Sequence, residues 1–80
     1  MNPTQSSTAP VEVIDKLGIS QRELEVLQQM SHGFSNKEIA DKLFIAESTV
    51  KTHVSSLLVK LHAKRRTEAI HKARDYRLID

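Results

Sequence analysis

The 80-residue sequence contains no cysteine and no tryptophan, and only two glycines and two prolines. Without cysteine there is no disulfide framework, no thiolate zinc site and no cysteine nucleophile. The two glycines stand far apart, so no glycine-rich loop cradles a phosphate, and no nucleophile elbow is present. No wholly apolar run is longer than a few residues, well short of the ~20 that span a bilayer. No charged start leads into an apolar stretch of the secretory kind, so the expected location is the cytosol. His32, His53, His62 and His71 show no i,i+4 pair, and neither a metal site nor a cofactor is expected. A chain this short makes one small domain with little volume to enclose a substrate, which argues against an enzyme.

What is present is charge, and it is unevenly placed. The net charge is +2. Residues 48–67 hold Lys51, Lys60, Lys64, Arg65 and Arg66 with no acid among them, while residues 20–47 are mildly acidic. A basic block beside an acidic one creates a directional field, which suits a polyanion such as nucleic acid. A basic but merely solvated surface is the plainer alternative.

Residues 1–12 are polar, contain both prolines, and read as a flexible tail or linker. The domain is expected over residues 13–80, with a short lead-in turn at 13–17. Ser20 and Glu23 have the spacing of a capping box, with Ile19 and Leu24 placed as a hydrophobic staple. Leu24, Leu27 and Met30 recur at helical spacing, and Gly33 suits a left-handed terminator. The first helix is therefore expected at about 20–31. Ser35 and Glu38 repeat the capping signal and open a second helix at about 36–43, with Ile39, Ala40 and Leu43 on one face. A third follows at about 47–61, its apolar stripe formed by Val50, Val54, Leu57, Leu58 and Leu61. Ser48, Lys51, Thr52, Ser55 and Val59 share its opposite face. A fourth is expected at about 66–75, with Ala69, Ile70 and Ala73 as a thin stripe and Tyr76, Leu78 and Ile79 closing the chain. No segment alternates with period two, so the fold class is all-α with four helices.

The second and third helices, joined by three residues, have the lengths of a helix-turn-helix unit. Ala40 is small where the two helices must cross, and Ile45 and Val50 supply apolar anchors. Short polar and cationic side chains on the outer face of the third helix would let its backbone enter a groove and reach base edges.

At this point residues 20–79 resemble the LuxR-type helix-turn-helix domain, also called GerE-type or NarL/FixJ-type. The resemblance rests on Ser20-Gln21-Arg22-Glu23-Leu24-Glu25-Val26-Leu27, Gly33, Ser35-Asn36-Lys37-Glu38-Ile39-Ala40 and Leu43. It continues through Ser48-Thr49-Val50-Lys51-Thr52-His53, Lys60-Leu61 and Arg66-Thr67-Glu68-Ala69. It implies a four-helix domain of a bacterial transcription regulator that binds double-stranded DNA sequence-specifically, cytoplasmic and nucleoid-associated. The third helix would lie in the major groove, with Lys51, Thr52 and Ser55 facing bases. Lys51 suits the paired acceptors of guanine. Ser48 and Thr49 would meet phosphates or base edges, and Asn36 and Lys37 phosphates. Lys60, Lys64, Arg65 and Arg66 are further backbone candidates. The resemblance also implies a homodimer through the fourth helix, with Ile70, Ala73 and Leu78 at the contact. It further suggests a receiver or sensor domain outside this sequence.

Three positions depart from the pattern, one of them Ser55, which is short and uncharged where some relatives carry a longer reader. Ala46 stands where Ser or Thr usually caps the third helix, and Arg65 where Ser, Asn or Asp caps the fourth. Glu23 is expected to be structural, through its capping box or an ion pair with a basic side chain such as Arg66. An adapter that docks on a partner protein through Leu78, Ile79 and the fourth helix is the competing reading.

Overall fold

Reciprocal capping fixes where the two middle helices begin. The computed structural model describes residues 10–80. In it, the Ser20 hydroxyl accepts from the Glu23 N–H at 3.1 Å while the Glu23 carboxylate accepts from the Ser20 N–H at 2.9 Å. Helix α2 (Gln21–Ser31) starts there. Ser35 and Glu38 repeat the arrangement at 3.2 and 2.8 Å and open α3 (Asn36–Leu43). Between them, Gly33 takes φ 87°, and its N–H bonds the Met30 carbonyl. Glycine occupies this left-handed conformation without the steric cost a side chain brings.

Helix α4 (Glu47–Lys60) and helix α5 (Arg66–Asp75) follow at the expected places. Neither Ala46 nor Arg65 caps through its side chain. At α5 the Glu68 carboxylate accepts from the Lys64 N–H at 2.7 Å, which engages one amide near the uncapped start. Among the described residues, Ser48 and Thr49 make no comparable bond at the start of α4.

A further helix, α1 (Val11–Leu17), precedes these four. It replaces the expected lead-in turn and starts inside the expected tail, at Val11 and Glu12. Residues 1–9 of that tail lie outside the described residues. Pro10 closes the first turn through its carbonyl, Glu12 and Lys16 suit the helix dipole, and Gly18 ends the helix at φ 72°. No residue of α1 is buried, although Val13, Ile14 and Leu17 pack against the core.

The described residues contain five helices and no strand. Helix α4 packs against α2, α3 and α5 and forms the centre of the domain. Val26, Leu27, Met30, Ile39, Val50, Leu57 and Leu61 are its fully buried anchors. Ala40 is buried at the α3–α4 approach. After α5, Arg77 turns left-handed (φ 63°) and the Leu78 N–H bonds the Ala73 carbonyl. The chain thereby folds back and inserts Leu78 and Ile79 into the core.

That return overturns two expectations. Ala73 is 0% and Leu78 2% exposed, so neither offers a surface to a second copy. Leu78 and Ile79 are likewise unavailable as the docking surface of an adapter. Ile70 alone of the expected dimer residues remains half-buried.

Candidate nucleic-acid interface

The inward stripe of α4 is committed to the core, which turns the opposite side outward. Ser48, Lys51, Thr52, Ser55 and Val59 are all exposed. At about 100° per residue they fall within one third of the helix circumference. Glycine is absent and every polar side chain there is short except Lys51, so the helix surface is both slim and cationic. The Thr52 hydroxyl donates to the Ser48 carbonyl at 3.1 Å. Its hydrogen is thereby engaged within the helix, and what Thr52 still presents is a methyl group and acceptor lone pairs. Thr49 is exposed beside this face near the start of the helix. Val59 is 75% exposed, and its side chain has no partner among the described residues.

The cations divide into two groups. Lys51, Lys64 and Arg65 are exposed and form no ion pair among the described residues. Lys37 is exposed and makes only a loose 4.0 Å approach to Asp41. Lys60 and Arg66, by contrast, are half-buried and direct their donors to partners within the protein.

The Lys60 ammonium donates to Glu23 Oε1 at 2.7 Å and to the Gly18 carbonyl at 2.6 Å. Ser56 donates to Glu23 Oε2 at 2.6 Å. Burial pushes the Glu23 carboxyl up, but Lys60, Ser56 and the Ser20 N–H overcome it and hold the group down to about 2. Glu23 is thus both a helix cap and the buried partner of Lys60; Arg66 is not its partner. Breaking such a pair leaves a charge without compensation in a desolvated place.

The Arg66 guanidinium donates to Asn36 Oδ1 at 2.8 Å and to the Phe34 carbonyl at 2.6 Å. Burial lowers its pKa from the ordinary guanidinium value, which still leaves it charged at neutral pH. The fork ties the start of α5 to the α2–α3 turn. The Lys42 ammonium lies 4.3 Å from the centre of the Phe34 ring, over its face. Neither the Lys60 nor the Arg66 arrangement has a local signal, because their partners are 37 and 30 residues away.

Phe44 is the left-handed residue of the α3–α4 turn (φ 59°) and is 92% exposed. No group of histidines and acids able to hold a metal occurs among the described residues. No helix among them is long and apolar enough to cross a membrane.

The chain resembles known regulators over this same region. Residues 17–73 match the family described as bacterial regulatory proteins, luxR family. The transcriptional regulatory protein YxjL of Bacillus subtilis is 59% identical over 51 residues, covering 64% of this chain and 23% of that protein. LnrK of the same organism, also a transcriptional regulatory protein, is 48% identical over 60 residues, covering 75% of this chain and 26% of that protein. DevR/DosR of Mycobacterium tuberculosis, a DNA-binding transcriptional activator, is 50% identical over 52 residues, covering 65% of this chain and 24% of that protein. Among solved structures, the response regulator ChrA of a heme-sensing two-component system superposes with a TM-score of 0.74 at 51% identity. The match covers 76% of this chain and 30% of that one. The chain thus spans about a quarter of the length of these regulators. With its helix-turn-helix pair intact and its match running from Leu17 to Ala73, the chain belongs to the luxR family of bacterial regulatory proteins.

Proposed function

We propose that this chain is the DNA-binding unit of a transcription regulator, and that α4 enters the major groove of double-stranded DNA. The observation that carries this reading is the outer face of α4. It places Lys51 among exposed hydroxyl side chains, with Lys64 and Arg65 beyond the helix, all three exposed and without an ion pair among the described residues. Lys51, Thr52 and Ser55 read bases, with Lys51 on guanine acceptors and the Thr52 methyl available to thymine. Ser48 and Thr49 meet phosphates or base edges at the start of the helix. Asn36, Lys37, Lys64 and Arg65 hold the backbone, which sets register without reading sequence.

The regulator acts in the bacterial cytoplasm at the nucleoid, pairs as a homodimer on DNA, and takes its signal from a receiver domain outside this sequence. Two half-sites about one helical turn apart suit such a dimer. Its contact is on α5, where half-buried Ile70 is flanked by exposed Thr67 and Arg74. The ChrA likeness supports the receiver domain, since that relative is a response regulator.

Substitution separates the two kinds of contact. Lys51→Ala is expected to weaken the preferred site by roughly 1–3 kcal/mol and relax one base position, whereas Lys64→Ala weakens all sequences alike. Equal losses from both on random duplex would contradict the base-reading role of Lys51.

A further inference from the structure

We infer that Arg66 is a positioning residue, which aims the Asn36 side-chain amide at a DNA phosphate instead of touching the DNA itself. The inference rests on the DNA-binding reading above. It starts from what a guanidinium can do. Arginine carries only donors, so only the carbonyl end of an asparagine amide can face it. The 2.8 Å contact to Asn36 therefore fixes which way that amide lies. The second branch of the fork, on the Phe34 carbonyl at 2.6 Å, holds the guanidinium in its plane. Partial burial of Arg66 shields both bonds in part from bulk water.

With Oδ1 held, the Asn36 NH2 group is the free end. It has no acceptor among the described residues. Lys37, with 76% of its side chain exposed, follows it in sequence and faces no closer anion than Asp41 at 4.0 Å. An oriented neutral donor beside a loose cation is a phosphate contact with a preset direction: the lysine supplies charge and the amide supplies geometry. Without Arg66 the amide loses the anchor on its carbonyl end, and its NH2 group is no longer held toward the phosphate.

The test is a titration of random-sequence duplex with this chain across a salt series. Asn36→Ala and Arg66→Lys are each expected to weaken binding about tenfold, the size of one lost hydrogen bond to a charged group. The lysine keeps the charge but cannot serve both acceptors. The double variant is expected to bind no more weakly than either alone, because both remove one contact. The salt slope stays constant in all three and in Arg66→Ala, while Lys37→Ala reduces it by about one phosphate. Asn36→Asp gives Arg66 its acceptor back but no outward donor, so it is expected to melt no lower than the unchanged chain and still to bind at least tenfold more weakly. Losses that multiply in the double variant would overturn the inference, as would a slope reduced by Arg66→Ala. So would unchanged binding by Asn36→Asp. If the unchanged chain binds no duplex at all, the DNA reading fails and this inference falls with it.

Discussion

Replacing Glu23 by glutamine probes the group on which three elements converge. Its carboxylate caps α2, and it accepts from Ser56 and Lys60 of α4. Lys60 in turn holds the Gly18 carbonyl at the end of α1. The folded carboxyl titrates near 2 instead of 4.5. That difference corresponds to ~3 kcal/mol of stability from the charged form. A lowered folded value places this contribution above the unfolded value of 4.5, and it is lost as pH falls towards 2. By pH 3 about 2 kcal/mol of it has gone. Glu23→Gln keeps the shape but removes the charge and leaves Lys60 half-buried without its anion. At pH 7 the variant is expected to be ~3 kcal/mol less stable, the cost typical of breaking a buried pair. Urea unfolding followed by circular dichroism at pH 7, 5, 4 and 3 measures this directly. The gap between the two proteins should narrow to about 1 kcal/mol at pH 3. A gap that stays constant with pH, or no gap at pH 7, would refute the assignment of Glu23 as the charged partner of Lys60.

Three shorter predictions follow from the same geometry. Ala46→Ser supplies the side-chain cap that α4 lacks, and should raise thermal stability by about 1 kcal/mol; an unchanged melting temperature would contradict this. Phe44→Gly relieves a left-handed residue that is 92% exposed and buries almost nothing. The relief of about 1 kcal/mol exceeds the loss of packing, so a variant that melts lower would show that Phe44 makes contacts its exposure hides. Ile70→Asp should abolish pairing on a two-site duplex in sedimentation while the domain keeps its helical spectrum. Pairing that survives would remove α5 as the contact.

The parts of the fold written in short spans were legible in the sequence. Both capping boxes lie within three residues, and each marked its helix start correctly at Ser20 and Ser35. The apolar stripe of α4 located its buried face, and Gly33 located the end of α2. The parts formed between distant residues were not legible. Lys60 and Arg66 look in sequence like their solvent-facing neighbours Lys64 and Arg65. Only the packing of α4 on α2, and the approach of α5 to the α2–α3 turn, brings them to Glu23 and Asn36. The thin stripe of α5 is ambiguous for a similar reason. Periodicity identifies Ala69, Ile70 and Ala73 as one seam without saying what covers it. The left-handed turn at Arg77 supplies the cover from the same chain, through Leu78 and Ile79. Helix α1 is too short to carry a period, and its signal was the pair of punctuating residues, Pro10 and Gly18.

The central claim is that the exposed face of α4 reads DNA. Selection from a pool of random duplexes, followed by affinity for the winner against salt, tests it most directly. The account predicts enrichment of a short, partly palindromic site whose affinity falls steeply with salt, as phosphate neutralisation requires. Failure to enrich any sequence, or binding that does not respond to salt, would contradict it.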